Sequence, residues 1–174
     1  MHLSSLLGKT LRQPPSDAHS PSHQLLVRAG FVRALEPGFF AYLPLGQRTL
    51  NRLQSLVSDE LVRVGGQVMA APELPDAEPA GAVVRLVRGE VDSYRQLPII
   101  LFQMVNRAQS EPSLRAGLFQ ARERALVEIH TFGQPDLVGG DRVPTALHAV
   151  LAAVDVPVLW STVGDAGWRA FFVH

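Results

Sequence analysis

Five charged residues, Glu111, Arg115, Arg122, Glu123 and Arg124, cluster around a polar stretch between two apolar runs. A planar guanidinium pairs with a carboxylate or a phosphate through two parallel N–H donors, so arginines on such a loop can grip a phosphate. The same opposed charges also form an ordinary solvated face on a hairpin, and residue type alone leaves both readings open. His19 and His23 are four apart, the separation at which two imidazoles on one helix face share a metal. Pro21 lies between them and no third ligand is near, so they read as incidental polar residues. His130, inside an apolar run, reads as a hydrogen-bonded core residue. Gly65-Gly66 and Gly139-Gly140 fit no phosphate-loop pattern, and the first pair reads as a helix stop. The chain has no cysteine, which excludes disulfide scaffolds, thiolate zinc sites and cysteine nucleophiles.

Composition supports a folded domain around these groups. The 174 residues are 47% apolar and 18% charged, enough to bury a core. Sixteen acidic and sixteen basic residues cancel, whereas a free-standing nucleic-acid binder carries a basic excess to neutralise phosphates. Met1–Arg12 has too short an apolar run for a signal peptide, and Ala146–Val163 is interrupted by His148, Asp155 and Pro157, a poor membrane span. The expectation is a cytoplasmic protein with no membrane association.

The elements that must carry these residues follow from periodicity. Residues 1–21 read as an N-terminal arm, extended and proline-rich over 12–21. Ser22 can cap a short helix to Arg28, stopped by Gly30, and Phe31–Leu45 reads as a hairpin or loop around Pro37-Gly38. Leu50, Leu53, Val57, Leu61 and Val64 recur at steps of three and four, which predicts a five-turn amphipathic helix ended by Gly65-Gly66. A strand over Gln67–Ala71 should halt at Pro72, and Ala82–Tyr94 has helical spacing. Pro98–Val105 and Leu126–Phe132 are continuous apolar runs suited to buried strands forming a long-tipped antiparallel hairpin. Val138–Arg142 reads as a turn, and Pro144 as the first position of a helix to about Val154. Two strands, Val156–Val163 and Trp168–Val173, complete an α+β domain with a mixed, mostly antiparallel sheet flanked by helices.

Two separated blocks carry a family likeness. SHQLLVRAGFVRALEPGFFAYLPLGQRTLNRL (Ser22–Leu53), with Thr10-Leu11-Arg12 and Asp17-Ala18 before it, resembles the start of bacterial prolyl-tRNA synthetases. SYRQLPIILFQMVNR (Ser93–Arg107) is similar to that family's S-Y-K-Q-L-P-L-x-L-Y-Q-x-x-x-K. The likeness covers most of residues 10–132 and implies a class II aminoacyl-tRNA synthetase-like core occupying 1–174 as a single trimmed domain. The long helix and the strand ending at Pro72 resemble motif 1, the family's dimerisation element. That places Leu50, Leu53, Val57, Leu61 and Pro72 in a homodimer interface.

The departures concern chemistry. The family's motif 2 reads F-R-x-E, its arginine on the ATP α-phosphate and its glutamate on the adenine. Here the matching residues are Ala108-Gln109-Ser110-Glu111, so glutamate stays and arginine is replaced. Charged donors stabilise the developing charge on phosphorus far better than a neutral amide. Arg107 or Arg115 would have to substitute, and the family's R-E-F is kept only as Arg122-Glu123-Arg124. The G-P-T-H-E-E segment, which helps bind proline and ATP, is replaced by the loop Pro72–Gly81. On this likeness, motif 3, the anticodon-binding domain and the editing insertion are expected to have no counterpart here.

The likeness thus implies a truncated, degenerate paralogue, a pseudoenzyme that has lost tRNA aminoacylation and acts as a dimeric binding or regulatory module. Its remnant ATP-binding pocket would comprise Arg107, Gln109, Glu111, Arg115, Arg122 and Glu123, with no catalytic residue and no metal ligand assigned. Magnesium-ATP is the cofactor such a pocket would imply, and proline or an adenylate the small-molecule ligand. One alternative is an ATP-dependent ligase or aminoacyl transferase using that pocket. Another is an accessory subunit of a synthetase, with a protein partner, or a tRNA-binding helper, which the zero net charge disfavours.

Overall fold

The structure is a computed structural model that describes residues 5–74, 80–108, 118, 121–133, 142–163 and 167–172, with backbone alone at 160–163 and 167–172. Two compact units divide it, Met1–Gln54 with Val105–Leu126, and Ser55–Met104 with Val127–His174.

In the first unit the arm is pinned to the helix that follows it. The Leu11 N–H donates to the Arg28 carbonyl (2.9 Å), and Gln24 Nε2 donates to the Ala18 carbonyl (2.9 Å). Helix α1, Pro21–Arg28, begins two residues earlier than expected. Its cap is Ser20, whose hydroxyl accepts from the His23 N–H, rather than Ser22. Pro21 holds the first helical position, where its missing N–H costs nothing. Strands β1 (Val32–Glu36) and β2 (Phe39–Tyr42) then form an antiparallel hairpin, as expected. Its register slips at Leu35, between Ala34 opposite Phe40 and Glu36 opposite Phe39, and Gly38 turns the chain at φ +83°. Arg33 ties the hairpin down by donating to the Val27 (2.6 Å), Val32 (2.9 Å) and Lys9 carbonyls.

Helix α2, Pro44–Arg63, matches the predicted amphipathic helix closely. Pro44 starts it, and Gly65, at φ +92°, ends it in the left-handed conformation that glycine adopts without penalty. Gly46 is required by a close approach of backbone to backbone. A Cβ there would run into the carbonyl oxygen of Phe31, which accepts the Leu43 N–H (2.8 Å).

The second unit is organised on an apolar cluster. Leu61 and Phe102 are fully buried against Ala146, with Val57, Val64, Met104, Val127 and Ile129 packed around them. Strand β3, Gly66–Val68, is shorter than expected and pairs in parallel with β4, Ile99–Ala108, Val68 standing opposite Phe102. A parallel pair needs a crossover. The chain between them contains α3 (Gly81–Glu90) and a 3-10 turn, Tyr94–Gln96, closed by a Ser93–Gln96 capping box. Strand β5, Glu123–Phe132, is hydrogen-bonded to β4. Helix α4, Arg142–Ala153, begins two residues before the Pro144 start that the sequence suggested, so the proline sits within the first turn, where no backbone donor is lost. Strands β6 (Val158–Val163) and β7 (Gly167–Phe172) close as an antiparallel hairpin. The Val138–Arg142 turn lies outside the described residues, apart from Arg142. Among the described residues, no helix is long and apolar enough to cross a membrane.

Candidate functional site

Of the six residues expected to line a phosphate pocket, Arg107, Arg122 and Glu123 are described. Gln109, Glu111 and Arg115 lie outside the described residues. Arg107 is half-buried near the end of β4, whereas Arg122 and Glu123 are exposed at the start of β5.

Arg122 is held against the hairpin turn. Its backbone N–H donates to the Gly38 carbonyl (2.8 Å), and its guanidinium carbon stands 5.8 Å from the centre of the Phe39 ring. A cation over an aromatic face at an exposed site contributes about 0.5–1 kcal/mol. Gly38 permits this contact, since a Cβ there would lie 2.9 Å from Arg122 Cγ.

Glu123 borders a cleft of about 250 Å3 with Phe40, Tyr42, Gln47, Leu50, Gln54, Asn106 and Ala125. The side chains offer a carboxylate, three carboxamides and a phenol, around the apolar Phe40, Leu50 and Ala125. Burial pushes the Tyr42 phenol above its ordinary value of 10.0, because the phenolate loses more by desolvation than the phenol does. Leu50 was expected at a dimer interface and Glu123 in a ligand pocket, and the structure brings both to one cleft. The glutamines were missed although Gln47, Leu50 and Gln54 stand at i, i+3 and i+7 on α2, the spacing of one helix face. The alternation of Phe40 and Tyr42 along β2 carried a second signal.

The remaining interface positions divide. Leu61 is fully buried within its own unit and Val57 packs against it, while Leu53 and Pro72 are exposed. In the second unit a polar chain crosses the sheet. Buried Gln103 accepts the Ala71 N–H (2.9 Å) and donates to Glu128 Oε2 (2.9 Å). That oxygen lies 3.9 Å from His130 Nε2, a long approach for an ion pair. The hydrogen-bonded core role expected for His130 is not met at Nε2, which is buried without a hydrogen-bond partner among the described residues. Nor do the described residues contain a group of three or more His, Asp or Glu that could hold a metal.

Comparison with known proteins places this arrangement. No family model matches the chain. It is 33% identical over 178 residues to the proline–tRNA ligase of Mycobacteroides abscessus, a match covering 84% of this chain and 30% of that protein. It is 34% identical over 163 residues to the proline–tRNA ligase of Moorella thermoacetica, covering 76% and 28%. The prolyl-tRNA synthetase of Cryptosporidium parvum, solved with halofuginone and AMPPNP, superposes with a TM-score of 0.67 at 13% identity. That superposition covers 82% of this chain and 38% of the synthetase. The fold is therefore the α+β core of a class II synthetase. Within that class the chain is a homologue of the proline–tRNA ligases, and it spans about 30% of the length of the curated relatives it matches.

Proposed function

We propose that this synthetase-like core does not aminoacylate tRNA and works as a dimeric binding or regulatory module. The observation that carries the reading is the contrast between a retained scaffold and an altered phosphate grip. The frame superposes on a synthetase, while the position matching the motif 2 arginine is Gln109. A neutral carboxamide supplies no charge to a pentavalent phosphate, and charged preorganised donors provide much of the acceleration in such sites. Arg122, just before β5, has its guanidinium over Phe39, a placement that favours holding the hairpin over reaching a nucleotide.

The dimer part of the reading narrows to Leu50, Leu53 and Pro72, since Leu61 and Val57 are used within their own unit. Light scattering at micromolar concentration should give twice the 19.0 kDa chain mass, and a monomer there would refute the dimer.

Proline-dependent ATP–pyrophosphate exchange should be absent. Calorimetric titrations with magnesium-ATP, with proline and with a stable prolyl-adenylate mimic then separate two kinds of module. Micromolar binding of the mimic without exchange supports a ligand sensor that kept the ancestral pocket. No binding to any of the three supports a surface that recruits a protein. Measurable exchange overturns the proposal in favour of an ATP-dependent ligase or transferase.

A further inference from the structure

The zero net charge of the chain hides a division between its two units. Met1–Gln54 with Val105–Leu126 hold ten basic and four acidic residues, whereas Ser55–Met104 with Val127–His174 hold six and twelve. The first unit therefore carries a formal charge of +6 and the second −6. Charge segregated in this way bears on what the chain associates with rather than on how it folds.

In the first unit three cations are brought together where the arm meets α1. The Leu11 N–H donates to the Arg28 carbonyl (2.9 Å), and Arg33 donates to the carbonyls of Lys9 and Val27, so residues 9–12 run beside the end of the helix. Lys9, Arg12 and Arg28 are exposed there, and none of them has an acidic partner among the described residues. Asp17 and Glu36, the acids of Met1–Gln54, border a second cleft, of about 530 Å3, with His19, His23 and the Pro37-Gly38 turn. An independent observation on the arm and α1 is apolar. Leu7, Leu11 and Leu25 are 75%, 37% and 61% exposed. Leu25 lies one turn before Arg28 on the same helix face, and Leu7 and Leu11 flank Lys9 along the arm. Exposed leucines interleaved with unpaired cations have the make-up of a protein interface, with apolar contact at its centre and charge at its rim.

We propose that this face of the arm and α1 docks onto the acidic unit of a second copy of the chain. Every copy carries the opposite charge in equal amount on its other unit, so the chain supplies its own complementary partner. The arginines can pair with carboxylates through two parallel donors, and the leucines add apolar burial. The two surfaces differ, so the contact is head-to-tail and each added copy presents a fresh basic face. The dimer proposed above uses Leu50, Leu53 and Pro72 and closes at two copies, so the two associations are separate.

Sedimentation of the full chain from micromolar to near-millimolar concentration tests this. At about 0.05 M salt the average mass should climb past twice the 19.0 kDa chain mass, and at about 0.5 M it should stay at or below that value. The high-salt mass reads the closed dimer by itself, so either association can fail without the other. Arg12→Glu/Arg28→Glu should remove the low-salt growth, and Leu7→Ser/Leu25→Ser should weaken it several-fold. All four positions are exposed, and Arg12→Glu alone serves as the read-out if a double variant does not fold. A mass that never passes two copies, growth that ignores salt, or growth undiminished in the folded variants would each overturn the proposal. Growth that nuclease treatment abolishes would overturn it too, because nucleic acid would then be what bridges the basic faces.

Discussion

In the unit built from Ser55–Met104 and Val127–His174, stability rests on volume. Leu61, Val83 and Phe102 are among the largest fully buried side chains in the molecule, and apolar neighbours surround the Leu61–Phe102 contact. Among the described residues of the unit built from Met1–Gln54 and Val105–Leu126, only Val32 is a comparably large and fully buried side chain. There Ala18, Val27, Leu43 and Ala121 supply the buried apolar surface, while Leu25, Leu35 and Phe39 remain exposed. What fixes that unit is backbone geometry: the Ser20 cap, the Arg33 bonds to three carbonyls, and glycines where a side chain would collide. Both described clefts lie in it. A scaffold held by caps and carbonyl bonds leaves its side chains free to line surface clefts, whereas a packed apolar core uses them up.

This difference predicts distinct sensitivities. The largest effect should follow Phe102→Ala, which empties the centre of the apolar cluster. Truncating a fully buried phenylalanine typically costs about 3–5 kcal/mol through lost transfer energy and the cavity left behind. Denaturant titration should show the midpoint falling with little change in slope. A loss below about 2 kcal/mol would mean that the cluster is not what holds this unit.

In the first unit the damaging change adds volume. Gly46→Ala would drive a methyl group into the Phe31 carbonyl, which must shift and so weaken its bond from the Leu43 N–H. Overpacking of this kind costs about 1–3 kcal/mol. A fully tolerated Gly46→Ala would break the contrast between the units, because the hairpin–helix junction would then be as adaptable as a loop.

Gln103→Leu tests whether the apolar unit also needs a polar element. It keeps approximate volume but orphans the Ala71 N–H and removes a donor from Glu128 Oε2, an expected loss of about 1–3 kcal/mol. A neutral result in denaturant titration would show that water takes over both partners.

Much of this frame could be read from the residues in order. The α2 periodicity from Leu50 to Val64, the turn at Pro37-Gly38 and the apolar run at Pro98–Val105 are local signals, and each gave an element close to the observed one. The misses were matters of a residue or two. Ser20 and Ser22 flank Pro21 and are equally good caps by type, and only the fold decides which hydroxyl reaches the His23 N–H. Sites were less legible than elements because they join distant segments. His23 of α1 meets Phe40 of the hairpin, and Glu123 joins Gln47 and Gln54 from more than sixty residues away, so no spacing rule links them. The family pattern pointed to Glu123 and Arg122 but not to their surroundings, because the pattern records residues kept for a nucleotide. Here Arg122 packs on a phenylalanine of the hairpin.

The smallest effect is the most specific to the cleft unit. Burial raises the Tyr42 phenol above 10.0 in the folded chain, while the unfolded chain exposes it at the ordinary value. Between those two values the unfolded state has lost a proton that the folded state still holds, so stability falls as pH rises through that window. The contribution is fully present below pH 10 and is lost progressively above it. Tyr42→Phe removes the titration and should flatten the dependence above pH 10 relative to the unsubstituted chain, with both measured by denaturant midpoint. Absorbance at 295 nm should show tyrosinate forming above the ordinary range in the folded chain, a late component that Tyr42→Phe removes. Absence of that late component would show that the polar cleft admits water freely. The contrast between the units would then rest on packing alone, with no difference in solvent access at the cleft.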